Sequence, residues 1–173
     1  MTNNILAIVS GGQTGADMGG LLGAKSVGVH TKGFAPKGWR TENGPNPELK
    51  SFNLVENSTD SYKDRTIINV RNADFTLIVG DITSSGSQLT VKTCKQYCKP
   101  YYVSAYAGEQ LTGSELTREA KRVQVVIDSN TYLFKGIIVN VAGNRESVNP
   151  GIEYHTRRLI KKLLKLCNTP DKE

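Results

Sequence analysis

Hydrophobic residues recur along this chain in short, mostly uninterrupted runs, alternating with segments where they are spaced three or four apart. Ile5–Val9, Phe75–Gly80 and Gly136–Val141 are such runs, typical of strands covered on both faces of a sheet. Val29–Gly33 and Tyr101–Ser104 are shorter strand candidates. The alternation predicts an α/β fold: a single Rossmann-like, doubly wound, mostly parallel sheet with helices on both faces.

Helical spacing predicts the segments that connect these strands. The predicted helices are Thr14–Ser26, Ser61–Ala73, Gly86–Cys98, a segment through Leu116, Ala120, Val123 and Ile127, and a C-terminal helix bearing Leu159, Ile160, Leu163, Leu164 and Leu166. On propensity alone, Val125–Ile127 could instead be a strand. A long polar stretch, Phe34–Asp60, has the length of a functional or mobile loop. We predict one domain over residues 1–168 and a tail over residues 169–173.

Composition narrows the class of protein. The chain has 173 residues, and no apolar run approaches the roughly 20 residues that span a membrane. Met1–Asn4 contains no basic leader, and three cysteines do not make a disulfide framework, so we expect a cytoplasmic protein. Cys94 and Cys98 share a predicted helix face, but His30 and His155 are distant in sequence. We interpret the two cysteines as small buried side chains and predict no metal site.

The formal net charge of +6 arises from 22 basic and 16 acidic residues. Much of the excess lies in the C-terminal helix, on Arg157, Arg158, Lys161, Lys162 and Lys165. We favour a solvated helix face over a nucleic-acid surface, because no aromatic platform or known motif accompanies these charges. The positive balance suits an anionic small molecule as the partner.

Three segments at predicted strand ends are rich in glycine, hydroxyl and amide groups: Ser10–Asp17, Thr83–Thr90 and Asn140–Ser147. Each alone is as often purely structural, but ligands of open α/β sheets bind outside the carboxyl ends of the strands. Glycine lets the backbone approach an oxyanion, and amides at a helix start donate to it. Arg145 can form a bidentate pair with a phosphate. The segments together predict a phosphate or nucleotide pocket.

The candidate ligand-binding residues come from these segments and from the helix between them. They are Gly11, Gly12, Gln13, Thr14, Asp17, Arg65, Asn69, Ser85, Gly86, Ser87, Gln88, Thr90, Asn140, Gly143, Arg145, Glu146 and Ser147. Asp17 either contacts a ribose or amine or caps its own turn. Trp39 and Phe34 either stack on a base or pterin ring or hold the long loop down. Neither a G-x-G-x-x-G fingerprint nor a P-loop is present.

Five motifs resemble one known family and follow its order over nearly the whole chain. They are SGGQTGAD (10–17), PKGWRTENGP (36–45), YKDRTIINV (62–70), GSQLT (86–90) and NVAGNRES with the following PGI (140–152). The pattern resembles the putative molybdenum carrier family, in the SLOG group of Rossmann-like nucleotide-binding domains. The resemblance implies a pocket for a phosphorylated, nucleotide-like ligand, adds Arg40 to the ligand-binding residues, and implies a homo-oligomer, a dimer or tetramer. In the best-known members the ligand is the molybdenum cofactor, which is passed on intact.

The SLOG group also contains sensors of NAD-derived nucleotides and phosphoribohydrolases that cleave nucleoside monophosphates. In those hydrolases, a loop led by two glycines carries a glutamate seven residues after the first glycine. With Gly86 aligned as the second glycine, Lys92 takes that place, and a cationic lysine does not replace the carboxylate. We therefore favour a non-catalytic protein that carries or sequesters its ligand, with no catalytic cofactor. That ligand is the molybdenum cofactor or an ADP-ribose or cyclic-nucleotide signal. The alternative is a LOG-like phosphoribohydrolase.

Overall fold

A computed structural model describes residues 4–131 and 134–169, in which a six-stranded parallel sheet is the central element. The strands are β1 (Ile5–Val9), β2 (His30–Ala35), β3 (Arg40–Thr41), β4 (Gly44–Pro45), β5 (Leu54–Glu56), β6 (Phe75–Val79), β7 (Tyr101–Ser104) and β8 (Ile137–Gly143). The sheet order is β5-β2-β1-β8-β6-β7, with every neighbouring pair parallel. A two-stranded antiparallel ribbon, β3–β4, lies outside it.

Within the described residues, five α-helices flank the sheet, in two groups. They are α1 (Ala16–Lys25), α2 (Tyr62–Arg71), α3 (Ser85–Gln96), α4 (Gly113–Thr131) and α5 (Ile152–Asn168). Helix α5 packs against both α1 and α4, and α2 packs against α3. Gly19 and Gly23 permit the close approach of α1 to α5, because a Cβ at Gly19 would lie 2.4 Å from the Glu153 carbonyl oxygen. The predicted α/β fold is confirmed.

The central strands are buried because helices cover the sheet. Every residue of β6 is buried, and β1 exposes only Leu6. Helix α5 buries its apolar stripe and exposes Arg157, Lys161 and Lys165, as its amphipathic spacing predicts. Within the described residues, no helix is both long and apolar enough to cross a membrane.

Several local expectations are corrected. Phe34–Asp60 is not a featureless loop, since it contains β3, β4, β5 and 3₁₀ helices at Lys37–Trp39 and Pro47–Phe52. The predicted helix through Leu116 and Ile127 is α4, so the alternative strand at Val125–Ile127 is excluded: Ile127 is buried and Val125 exposed, as the helical period requires. Cys94 is buried as expected, but Cys98 is exposed just beyond the end of α3. The predicted tail, apart from Thr169, lies outside the described residues.

His155, on α5, is a buried histidine that stacks on Tyr106 with 4.6 Å between the ring centroids. Neither of its ring nitrogens has a hydrogen-bond partner within residues 4–131 and 134–169. Burial and the nearby Arg158 charge lower the pKa of His155 from its ordinary 6.5, against an opposing effect of Glu119. The unfolded chain therefore binds this proton more readily than the folded one, so stability falls as the pH drops through the ordinary histidine range.

We expect His155→Leu to reduce this pH dependence. Between about pH 7.5 and about pH 5, the melting temperature of the wild type should fall more than that of His155→Leu. The exposed His30→Gln is the control and should track the wild type. Circular dichroism at a series of pH values measures the difference. Equal slopes for wild type and His155→Leu would assign the acid sensitivity to other groups.

Candidate functional site

The three glycine-rich segments meet at one cleft of about 400 Å³ at the carboxyl edge of the sheet. They follow β1, β6 and β8, and β8 lies between the other two strands, so the segments are neighbours in space. The cleft is lined by Gln13, Asp17, Tyr62, Arg65, Thr66, Ser84, Ser85, Gly86, Leu89, Gly143, Asn144, Arg145, Ser147 and Val148. Its size falls within the range of about 300–1,000 Å³ that is usual for small-molecule sites.

A buried ion pair forms one wall of the cleft. Arg65 Nη1 of α2 donates to Asp17 Oδ2 of α1 at 2.7 Å, and the two side chains are only 11% and 5% exposed. Burial raises the pKa of Asp17, while the Arg65 guanidinium and the backbone amides of Gln13 and Gly11 oppose that rise. The guanidinium packs against Gly11, where a Cβ would lie 1.6 Å from Nη1. Asp17 therefore holds both its own turn and Arg65.

Two buried donors on cleft-lining side chains have no hydrogen-bond partner among the described residues: Gln13 Nε2 and Arg65 Nε. The orientation of the Gln13 amide is determined, because its Oε1 accepts from the backbone amides of Thr14 (3.0 Å) and Glu42 (2.9 Å). An unsatisfied buried donor costs about 1–3 kcal/mol. An acceptor supplied by a ligand in the cleft would remove that cost.

Asn144 connects the segment after β8 to the segment after β6. Its Nδ2 donates to the Asp81 carbonyl at 2.9 Å and to Ser84 Oγ at 3.0 Å, and its Oδ1 accepts from the Asp81 amide at 2.6 Å. Asn144 lies in a glycine-rich segment but is not among the residues that the sequence predicts for the site. Its role depends on contacts with residues 60 and 63 positions away, which local spacing does not show.

Glu42, at the turn of the β3–β4 ribbon, places its carboxylate against the first and third glycine-rich segments. The carboxylate accepts hydrogen bonds from the hydroxyls of Thr14 and Ser147 and from the Ser147 amide at 3.2 Å. Arg145 Nε lies 4.0 Å from it. Partial burial opposes ionisation of Glu42, but the hydrogen bonds from Ser147 and Thr14 outweigh it and lower the pKa. Sequence reasoning missed Glu42, although it lies within the motif PKGWRTENGP.

Tyr62, at the start of α2, lines the cleft and is another residue that the sequence did not predict. Three guanidinium carbons lie within 6 Å of its ring centroid: Arg40 at 5.4 Å, Arg65 at 5.8 Å and Arg145 at 5.9 Å. This grouping places three positive charges around one aromatic ring at the cleft. Each arginine also has an acidic partner. Arg65 pairs with Asp17 and Arg145 lies near Glu42, as described above, and Arg40 forms a surface pair with Asp60 at 2.7 Å.

The structure brings together part of the predicted site. The predicted residues that line the cleft are Gln13, Asp17, Arg65, Ser85, Gly86, Gly143, Arg145 and Ser147. Thr14 binds Glu42 beside the cleft, and Gly12 packs against Leu49 behind it. Arg40 stands at the rim with nearly half of its side chain exposed.

The remaining predicted residues support the surrounding structure. Asn69 exchanges two hydrogen bonds with the Phe34 backbone, and the Glu146 carboxylate accepts from the Glu153 amide at the start of α5. Others bond within their own surroundings: Thr90 to the Gly86 carbonyl, Gln88 to the Thr83 carbonyl, Asn140 to Thr76 and Ser87 to Asn144. These positions shape the cleft without lining it.

Two further residues bear on the sequence hypotheses. Lys92 is exposed on α3 and lines a separate surface depression with Ile82 and Gln88. Trp39 packs against a small apolar cluster that includes Leu49, which matches the interpretation that it holds the long segment down. Within the part of the chain that the structure describes, no group of three or more His, Cys, Asp or Glu is placed to hold a metal ion.

Comparison with known proteins agrees with this architecture. The sequence pattern of the circularly permutated YpsA SLOG family matches residues 8–164. The crystal structure of a putative molybdenum carrier protein from Syntrophus aciditrophicus SB superposes with a TM-score of 0.80. The two chains are 31% identical, and the alignment covers 95% of this chain and 98% of the other. No curated protein matches the sequence. The chain belongs to the circularly permutated YpsA SLOG family.

Proposed function

We propose that the cleft binds the phosphate of a phosphorylated, nucleotide-like small molecule, and that this chain carries or sequesters the molecule without converting it. This proposal rests on two buried donors of side chains that line the cleft, Gln13 Nε2 and Arg65 Nε, which have no hydrogen-bond partner among residues 4–131 and 134–169. Buried donors are almost always paired, so two donors without a partner on side chains that line the cleft favour an acceptor-rich ligand there.

The rest of the lining also suits an anion. Ser85 and Gly86 lie in the first turn of α3, whose amides lack intrahelical partners and whose dipole favours negative charge. Arg145 is the most accessible cation of the lining, with 43% of its side chain exposed. Hydroxyl, amide and guanidinium donors together are the groups that bind phosphate.

The proposed cargo is the molybdenum cofactor, with an ADP-ribose or cyclic-nucleotide signal as the alternative ligand. The similar structure from Syntrophus aciditrophicus SB, described as a putative molybdenum carrier protein, favours the first. The cofactor's own dithiolene sulfurs hold its metal, so the protein needs no cysteine cluster and binds the phosphate and ring. The phosphate-type donors of the cleft fit such a molecule.

The acidic groups at the cleft favour binding without turnover. The Asp17 carboxylate is engaged by Arg65, and Glu42 is engaged by Thr14 and Ser147. Lys92, at the position aligned with the hydrolase glutamate, lies outside the cleft lining. A carboxylate free to assist cleavage of an N-glycosidic bond is what the alternative, a LOG-like phosphoribohydrolase, would need.

Thermal denaturation with each candidate ligand tests the proposal. A ligand present at 100 times its Kd should add about 2.7 kcal/mol to the free energy of unfolding. The probes are the molybdenum cofactor, ADP-ribose, cyclic ADP-ribose and AMP. Incubation with AMP, CMP and GMP, followed by assay for free base, tests turnover. Base release at an enzymatic rate would replace the carrier proposal with the hydrolase.

Arg145→Met should weaken the binding of a phosphorylated ligand by about tenfold or more, the value of one charge-assisted hydrogen bond. Arg118→Met removes the same charge from α4, far along the chain from the cleft segments, and should leave affinity unchanged. Isothermal titration calorimetry measures both. Equal affinities for the two variants would remove Arg145 from the site.

We also propose that the protein is cytoplasmic and forms a homo-oligomer. Tyr97, Tyr101 and Tyr102 lie at or next to the edge strand β7 and are only partly covered in the single chain. Light scattering on the purified protein tests the assembly, and a monomeric mass at micromolar concentration would contradict it.

A further inference from the structure

We propose that the Glu42 carboxylate holds the phosphate subsite of the cleft closed, and that a phosphorylated ligand binds by displacing it. The β3–β4 ribbon, residues Arg40–Pro45, then acts as a lid with Glu42 at its tip. This inference rests on the proposed function, since it names the position and the gating of that same site.

The first support is chemical: the partners of Glu42 are the donors that would bind a phosphate. Thr14 Oγ1 comes from the segment after β1, and the Ser147 amide and hydroxyl come from the segment after β8. Carboxylate and phosphate oxygens accept the same charge-assisted hydrogen bonds from such groups. An internal anion therefore satisfies donors from two of the three glycine-rich segments.

The second support is position. Arg145 and Ser147 both line the cleft and both face Glu42, whose side chain is 12% exposed. The Glu42 amide also donates to Gln13 Oε1 at 2.9 Å, next to the unpaired Gln13 Nε2. Gln13 is 6% exposed, so its free donor group is buried beside the carboxylate's own partners. Removal of the Glu42 carboxylate would leave the Thr14 hydroxyl and the Ser147 amide and hydroxyl without this acceptor. These donors would then be free close to Gln13, whose Nε2 has no partner among the described residues.

The third support is the light attachment of the ribbon. Each of its strands has two residues, and in the part of the chain that the structure describes they pair only with each other. Apart from the β3–β4 pairing itself, the hydrogen bonds that join residues 41–45 to the rest of the described residues all involve Glu42. The remaining polar anchor of the ribbon is the exposed Arg40–Asp60 pair, a type of contact that contributes little to stability.

The negative charge of Glu42 should lower the affinity of the cleft for a phosphorylated ligand. Hydrogen bonds from Ser147 and Thr14 outweigh partial burial and lower the pKa of Glu42, and its carboxylate lies 4.0 Å from Arg145 Nε. A ligand phosphate must therefore compete with a resident negative charge, and the observed Kd exceeds the intrinsic Kd by the inverse of the open fraction. Weakening the resident charge should tighten binding rather than weaken it.

The experiment is calorimetric titration of wild type, Glu42→Gln and Glu48→Gln with AMP, ADP-ribose and inorganic phosphate. Glu42→Gln retains shape but exchanges charged hydrogen bonds for neutral ones, so it should bind about fivefold tighter or better. Glu48→Gln makes the same change in net charge at an exposed site of the Pro47–Phe52 helix and should match the wild type. Circular dichroism confirms that each variant is folded.

Hydrogen–deuterium exchange reports the movement of the lid. On addition of AMP to the wild type, residues 40–45 should exchange faster while residues 84–89 and 143–148 exchange more slowly. Ordinary ligand contact would slow all three. The sign of the change at residues 40–45 therefore separates displacement from simple closure over the ligand.

The two proposals fail in different ways. If the wild type binds a phosphorylated probe but Glu42→Gln binds equally or more weakly, the lid is overturned and the phosphate cleft stands. Slower exchange at residues 40–45 on binding would likewise overturn the lid alone. If wild type and Glu42→Gln both fail to bind every phosphorylated probe, including the molybdenum cofactor, the cleft itself is overturned, and the lid with it. If Glu42→Gln binds a phosphorylated probe and the wild type does not, the result supports both the cleft and the lid.

Discussion

Arg65→Met should lower the free energy of unfolding by about 3–5 kcal/mol, because it leaves Asp17 buried without its counter-charge. Asp17 is 5% exposed in its side chain, and the Gln13 amide donates to its carboxylate only at 3.2 Å. Urea denaturation measures the loss. Arg71→Met, on the same helix but exposed, removes the same charge and should cost about 0.5 kcal/mol or less.

A double variant identifies the cause of that loss. Asp17→Asn combined with Arg65→Met removes the uncompensated charge and should recover a large part of the stability, because replacing a buried pair costs less than breaking it. A double variant as unstable as Arg65→Met would instead assign the loss to packing of the arginine side chain against Gly11.

Gly15→Ala should cost about 3 kcal/mol or more and should abolish ligand binding. Gly15 has φ +79°, and a Cβ there would lie 2.4 Å from the Asn144 carbonyl oxygen and 2.7 Å from the Glu146 amide. That same Asn144 carbonyl accepts a hydrogen bond from the Ala16 amide at 3.0 Å. The new methyl group must therefore separate two of the three segments that form the cleft.

Gly28→Ala is the matched control for this prediction. Gly28 has φ +72°, but a Cβ there meets nothing within 4 Å. The control should cost about 1–2 kcal/mol, the penalty of a left-handed backbone alone, and ligand affinity should be retained. Equal costs for the two variants would show that backbone strain, and not the contact with Asn144, determines the effect at Gly15.

The fold was predictable because its strands are buried on both faces and so form continuous apolar runs, as Phe75–Val79 does. The helical spacing of Leu116, Ala120, Val123 and Ile127 correctly predicted α4, although residue preference alone allowed a strand within it. Val125–Ile127 has strand propensity, but its packing follows the helical period of α4, with Val125 exposed at 62% and Ile127 buried. Tertiary burial prevailed over residue preference there.

The glycine-rich segments of the candidate site could be predicted from the sequence, but its long-range side-chain contacts could not. Glycine, hydroxyl and amide clusters at strand ends pointed to Gln13, Gly86 and Gly143, which line one cleft. Glu42 was missed because its partner Ser147 lies 105 positions away, and the turn of a polar segment has no periodic signal. Tyr62 was missed because only the folded chain brings Arg40 and Arg145 to the same ring.

The order of the strands along the chain has a consequence for folding during synthesis on the ribosome. The strand at the centre of the sheet, β8, follows every one of its partners along the chain. Until β8 is synthesised, β1 and β6 each lack the neighbouring strand that joins β5-β2-β1 to β6-β7, and unpaired strand edges are prone to non-native pairing. Insertion of β8 completes both the sheet and the cleft in one late event, so a chain halted before β8 acquires neither.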